Sequence, residues 1–161
     1  MPRSFEGDLS AAGLRIGVIA SRFNDEIVSG LLDGALTCLT RHGISDDEVS
    51  LYRVPGAFEI PVAAAKLVND FDALITLGCL IKGDTPHFDF ISAQVTNDLS
   101  RVAIDARTPV AFGVITCNTY EQAVERSKPG PGNKGWEAAL AAIEMANLWK
   151  QMARTSQQGD R

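Results

Sequence analysis

The 161-residue chain reads as an α/β protein, a single domain with a parallel sheet between two layers of helices. Three observations predict it. Strand-like runs begin at Leu14, Glu48, Phe71 and Val110, and each gives way to a segment of helical spacing, so strand and helix alternate four times. Leu14 to Ala20, read Leu-Arg-Ile-Gly-Val-Ile-Ala, is apolar at nearly every residue, the pattern of a strand covered on both faces. No repeat and no long linker divides the chain, and its length suffices for one sizeable core.

Residues 4–13 are a lead-in whose apolar residues are Phe5, Leu9 and alanines. It is expected to add a short edge strand to this sheet or to that of a neighbouring subunit, with residues 1–4 disordered. Leu14 to Ala20 is strand one. Ser21-Arg22-Phe23-Asn24 follows as a loop, and Asn24 is expected to cap a helix opening with Asp25 and Glu26, acids suited to a positive dipole end. Ile27, Leu31, Ala35 and Leu39 share one face of that helix, and Gly43 stops it after Arg41 and His42. Strand two runs Glu48 to Val54 and is broken by Pro55-Gly56, and an alanine-rich helix spans Ala57 to Val68. Strand three, Phe71 to Leu77, feeds the stretch on which the chemistry centres: Gly78-Cys-Leu-Ile-Lys-Gly-Asp-Thr-Pro-His-Phe-Asp89.

Thr85-Pro86 fits a helix N-cap followed by the first helical residue. The helix from His87 to about Ala106 places Ile91, Val95, Leu99 and Val102 on one face. Pro109 marks a turn into strand four, Val110 to Thr116. A short helix covers Tyr120 to about Ser127, and Lys128 to Gly135 is a loop stiffened by two prolines. Trp136 to Met152 is the last helix, and the polar residues 154–161 are expected to be disordered.

This alternation gives the flavodoxin-like, three-layer αβα plan with strand order 2-1-3-4. In that order the switch point, where open α/β sheets bind ligands, lies between strands one and three. Phe23 and the Gly83–His87 turn therefore converge on one crevice.

Several residues there suit chemistry, each beside a plainer reading. A histidine titrates near neutral pH, which suits His87 to general acid–base work, or it is tied structurally to a carboxylate. Gly83-Asp84-Thr85 at a helix start suits a phosphate, or is an ordinary capped helix. Phe23 in a polar loop suits stacking on a planar heterocycle, or covers the core or a subunit contact. Around Val54 to Pro61 the backbone suits a ring edge and Glu59 suits hydroxyl donors, or Glu59 is a first-turn acid. Arg126, Lys128 and Lys134 suit a phosphate, or form a solvated face. His42, at a helix C-terminus, has a sufficient structural role.

Composition narrows the rest. A net charge of −5 argues against wrapping nucleic acid. No apolar stretch reaches the roughly 20 residues of a membrane span, and Met1 to Glu6 has no apolar signal core, so a cytoplasmic protein is expected. Cys38, Cys79 and Cys117 lack metal spacing and read as buried small hydrophobes, with Cys79 and Cys117 near pocket-facing strand ends. No histidine–carboxylate cluster suggests a metal. Gly130-x-Gly132-x-x-Gly135 matches the dinucleotide fingerprint literally, but it follows a helix and leads to no strand with an acidic end.

Four segments in register resemble one family, 6,7-dimethyl-8-ribityllumazine synthase: Ser21 to Asn24, Val54 to Pro61, Gly78 to Asp89, and Glu121 to Arg126 with Asn133-Lys134-Gly135. The similarity runs from about residue 5 to residue 149. It implies condensation of 5-amino-6-(D-ribitylamino)uracil with 3,4-dihydroxy-2-butanone 4-phosphate, releasing phosphate and water, with no metal or organic cofactor. The resemblance gives Phe23 the uracil-stacking role, with Asn24 beside it among the substrate-binding residues. It gives ring and ribityl contacts to Ala57, Phe58, Glu59, Cys79, Leu80 and Ile81, and phosphate contacts to Gly83, Asp84, Thr85 and Arg126. His87 takes the proton-transfer role, and Phe112 and Lys134 match positions that reach a site from the adjacent subunit or close over it. Many members carry arginine where Lys82 stands. The short 128–132 loop lacks the insertion that accompanies members stopping at pentamers, so a homopentamer, assembled further into a hollow icosahedral shell, is expected, with possible association with riboflavin synthase. The alternative is a relative that binds a lumazine or flavin, or forms a shell, without catalysing.

Overall fold

The computed structural model describes residues 1–159. Strands β1 (Ile16–Ser21), β2 (Ser50–Val54), β3 (Ala73–Ile81) and β4 (Val110–Cys117) form one parallel sheet in the order β2-β1-β3-β4. The expected order is therefore the observed one. Every residue of the central strand β1 is buried, which is why its sequence shows no polar alternation.

Helices α1 (Asp25–Arg41), α4 (Tyr120–Ser127) and α5 (Lys134–Gln158) cover one face, and α2 (Ile60–Leu67) and α3 (His87–Ala106) the other. Alternate strand residues divide between two cores. Val18, Ile75 and Ile115 pack with Ile27, Leu31 and Ile143, whereas Ile19, Leu74 and Val114 pack with Ile60, Val95 and Leu99.

The layer of α1 and α5 is unusually close. A Cβ at Gly135 would lie 1.8 Å from the Leu31 carbonyl oxygen, so no side chain fits there. Just before it, Asn133 caps α5 by accepting from Trp136 N–H at 2.9 Å, while its amide nitrogen donates towards the carbonyls of Gly30, Ser127 and Lys128 at 3.0–3.1 Å. Asn133 is 2% exposed, and its amide ties together the partly buried carbonyls of three residues from two segments.

The structure corrects several boundaries. The third strand does not stop at Leu77. Gly78, Cys79, Leu80 and Ile81 stay in register with Val114 to Cys117, so glycine is carried within the ladder and the strand reaches the ligand end of the sheet. The lead-in adds no strand to this sheet. It runs along α5 instead, where Asn147 donates to the carbonyls of Asp8 and Ser10 at 2.8 Å and Gln151 donates to that of Glu6 at 2.7 Å. The last helix starts at Lys134 and continues to Gln158, past the residue at which disorder was expected; Asp160 and Arg161 lie outside the described residues. The helix after β2 is divided, with 3₁₀ turns at Ala57–Glu59 and Val68–Asp70 flanking α2.

Neither expected side-chain cap at the ligand end forms. Asn24 has left-handed backbone angles (φ 60°, ψ 47°), which turns its side chain away from the helix it precedes. At α3 the cap position falls on Pro86 rather than Thr85, and His87 is the first helical residue.

Candidate active site

A cavity of about 420 Å³ opens at the β1/β3 switch point, between the loop after β1, the turn after β2, the end of β3 and the start of α3. Phe23, Asn24, Ala57, Phe58, Glu59, Cys79, Leu80, Ile81, Gly83, Thr85 and His87 line it. These residues come from three sequence segments and were all singled out from sequence. Asp84, on the same turn, is exposed but does not line the cavity.

The Phe23 wall is held from several sides. Arg22 N–H donates to Val54 O at 2.8 Å and Phe23 N–H to Pro55 O at 3.0 Å, extending the β1–β2 pairing beyond the strands. Asn24 Nδ2 donates to Cys79 O at 3.0 Å, which fastens the loop to β3. Arg53 Nη2 reaches Asp25 Oδ1 at 2.7 Å. The Phe23 ring nevertheless remains 70% exposed, a fixed aromatic face open to the cavity.

The opposite walls are plainer. Glu59 Oε2 accepts from Gly56 N–H at 3.1 Å, so one carboxylate oxygen serves the turn itself, as the structural reading of that acid expected. Phe58 is exposed beside it. The Gly83–Pro86 turn is exposed throughout, and a Cβ at Gly83 would meet nothing within 4 Å, so this side leaves room for a bulky group at a helix start. The His87 ring sits in the first turn of α3 at the cavity wall, exposed and adjacent to that turn. Sequence reasoning missed three lining residues, Gly56, Phe88 and Ile91. Ile91 lies one helical turn after His87, and that spacing was a usable signal.

Phe112, Arg126 and Lys134 are not in this cavity. They line a second hollow, about 350 Å³, over the edge strand β4, together with Val114, Thr116 and Glu137. Phe112 is 47% exposed there. Arg126 Nη1 donates to Gln122 O at 3.0 Å and Lys134 Nζ pairs with Glu137 at 2.8 Å, both within their own helices. Within one chain the expected site residues therefore fall into two groups.

The thiols near the cavity are buried and held in the protonated form. Burial, reinforced by the nearby Cys117, pushes the Cys79 thiol up from 9.0 to about 12. Burial also raises Cys117, partly offset by the Arg126 guanidinium. Among the described residues, no three His, Cys, Asp or Glu side chains gather so as to hold a metal ion, and no helix is long and apolar enough to cross a membrane.

The fold and the cavity at its switch point, with an exposed ring and a histidine in its walls, define an α/β protein of the doubly wound class with a pocket where such sheets bind ligands. Comparison with known proteins is more specific. The family model for 6,7-dimethyl-8-ribityllumazine synthase matches residues 13–150. A 6,7-dimethyl-8-ribityllumazine synthase of Aquifex aeolicus (strain VF5) is 53% identical over 150 residues, covering 92% of this chain and 97% of that protein. Proteins of the same name from Chlorobium phaeobacteroides (strain DSM 266 / SMG 266 / 2430) and Syntrophus aciditrophicus (strain SB) are 52% and 50% identical, covering 92% and 94% of this chain and 97% and 100% of their own lengths. The chain belongs to the 6,7-dimethyl-8-ribityllumazine synthase family.

Proposed function

We propose that the chain condenses 5-amino-6-(D-ribitylamino)uracil with 3,4-dihydroxy-2-butanone 4-phosphate to give 6,7-dimethyl-8-ribityllumazine, phosphate and water, a transferase step of riboflavin biosynthesis. The observation that carries this is the 53% identity to a named synthase over nearly the whole of both chains, with the switch-point cavity intact. A non-catalytic lumazine- or flavin-binding or shell-forming relative is not favoured, since His87 and Arg126 are both retained.

We assign each step a residue. Phe23 stacks on the pyrimidine, and Phe58 and the end of β3, Cys79 to Ile81, bound the ring and its ribityl chain. The free oxygen of Glu59 accepts from ribityl hydroxyls. The pyrimidine's amine attacks the ketone, and loss of water to an imine needs a proton delivered to the departing oxygen, a role that falls to His87. Phosphate then leaves with its proton balance made up by solvent, its oxygens held by N–H groups of the Gly83–Thr85 turn and by the Arg126 guanidinium. The second nitrogen closes the ring with loss of another water. Much of the rate comes from holding two reactants together, worth up to about 7–11 kcal/mol in favourable cases.

Arg126 and Lys134 lie in a different hollow from the Gly83 turn, which supports a site completed by two copies: the switch-point cavity of one and the β4 edge of the next. An apolar groove along the same edge, lined by Ile104, Phe112, Met145, Trp149 and Met152, supports burial of that edge by a neighbour. We read the assembly as a homopentamer, and the short 128–132 loop favours a hollow icosahedral shell of such pentamers. The same reading places the enzyme in the cytoplasm and makes riboflavin synthase, which consumes the lumazine, its expected partner. The test follows lumazine absorbance and phosphate release together with both substrates. Equal amounts of both products are expected; binding of lumazine with no turnover would replace this reading with the non-catalytic one.

A further inference from the structure

The two groups of site residues in one chain are joined by a contact outside both. The Tyr120 hydroxyl donates to Glu26 Oε2 at 2.7 Å, across 94 residues of sequence. Tyr120 is the first residue of α4, the eight-residue helix that carries Arg126. Glu26 is in the first turn of α1, two residues after Asn24. Among the described residues this is the only side-chain hydrogen bond from the first turn of α4 to another helix; the other polar groups there cap α4 itself, through Thr119 and Gln122. The Glu26 carboxylate holds the Tyr120 phenol above its ordinary range, first through this hydrogen bond, so the phenol remains a donor.

The two ends of the contact are not equally fixed. The start of α1 is tied to β3 through Asn24, to β2 through Arg53 and Asp25, and to the sheet through the backbone of Arg22 and Phe23. The far end of α4 is seated against α1, where Ser127 O lies 2.5 Å from where a Cβ on Gly30 would be, and is held by Asn133. Its near end follows β4 after only Asn118 and Thr119 and buries Ala123, and the Tyr120 contact is its side-chain bond to α1. Loss of that contact would let the exposed face of α4 shift, and Arg126 with it, leaving Phe23 in place.

We propose that Tyr120 and Glu26 are positioning residues for the phosphate-bearing substrate: their hydrogen bond sets α4, and with it Arg126, against the α1 end that carries the Phe23 loop. This rests on the reading that Arg126 binds phosphate at a site shared with a neighbouring copy. It gives one chain's Arg126 a fixed relation to that chain's own Phe23, although the two serve different sites of the assembly.

The test is steady-state kinetics of the assembled enzyme with both substrates, on Tyr120→Phe, Glu26→Ala, the Tyr120→Phe/Glu26→Ala pair and Glu26→Gln, with Arg126→Ala as the reference. Tyr120→Phe and Glu26→Ala should each raise KM for the phosphate-bearing substrate about threefold, the scale of one exposed charge-assisted hydrogen bond, with KM for the pyrimidine unchanged. The double variant should be no worse than either single one, since both remove the same contact. Glu26→Gln, which keeps an acceptor, should restore most of the wild-type value. Additive effects in the double variant, equal changes in both KM values, or no change where Arg126→Ala raises the phosphate KM would overturn the positioning role alone. No change in Arg126→Ala itself would overturn the reading of Arg126, and this proposal with it.

Discussion

The cavity at the switch point and the hollow over β4 hold parts of the same proposed site but are built differently. The first is fixed by contacts distant in sequence: Asn24 to Cys79, Arg53 to Asp25, and the backbone of Arg22 and Phe23 to Val54 and Pro55. In the second the helices are also fixed at a distance, through Asn133 to Gly30 and Tyr120 to Glu26, but the cationic tips have local partners only, Arg126 to Gln122 and Lys134 to Glu137, each within one helix. A stacking platform must be rigid before the ligand arrives, because a ring's preferred geometry is narrow. The cationic tips that meet a phosphate can stay mobile until it binds, provided the helix that carries them sets their reach. The difference teaches that one chain supplies a finished pyrimidine seat and an unfinished phosphate clamp.

Substitutions sharpen that contrast. Arg126→Ala should have the largest effect, about a 100-fold loss in kcat/KM for the phosphate-bearing substrate, because a guanidinium paired with departing phosphate does most in the transition state. A KM change confined to the pyrimidine would contradict the division of labour. Phe23→Ala should raise KM for the pyrimidine about tenfold, the scale of one base–aromatic stack, with the phosphate substrate little affected. His87→Ala should lower kcat about tenfold without abolishing turnover, since proximity supplies much of the rate. Wild-type activity in a folded His87→Ala protein would remove His87 from the mechanism.

The smallest effect concerns the thiols. Burial pushes Cys38 up to about 11 and Cys79 up to about 12 from an ordinary 9.0. The folded chain thus holds these protons more tightly than the unfolded chain does. Stability is full below pH 9 and declines as pH rises above it, where unfolding releases thiol protons. The three cysteines should resist alkylation at pH 8 in the native protein and all react once it is unfolded. Rapid labelling of Cys79 in the native state would show a cavity more open to solvent than its 2% exposure indicates.

Much of this was legible in the chain. The doubly wound sheet follows from buried apolar runs alternating with helical spacing, and taking it as the flavodoxin-like plan gives the order 2-1-3-4 and so the ligand end. What local reasoning misjudged depends on distant partners. Asn24 and Thr85 both look like caps, yet the Asn24 amide is taken by a carbonyl 55 residues away and α3 begins after Pro86. Gly78 looks like a break, yet β4 keeps the strand in register through Ile81. The lead-in reads as an edge strand of this sheet or a neighbour's, yet it adds no strand to this one, because α5 offers it side-chain donors. The separation of Arg126 from the Gly83–Thr85 turn was also invisible, because motif order along a chain says nothing about which copy completes a site; for Phe112 and Lys134 the family resemblance implies it.

The most direct test of a site built from two copies is complementation. Chains carrying Phe23→Ala and His87→Ala together are unfolded with chains carrying Arg126→Ala, and the mixture is refolded and assayed with both substrates. Random assembly should leave about one interface in four with both halves intact, so activity should return to about a quarter of wild type, although neither variant alone approaches it. Activity no higher than the average of the two variants, in assemblies shown to contain both chains, would mean that Arg126 serves its own chain's cavity and would contradict the account.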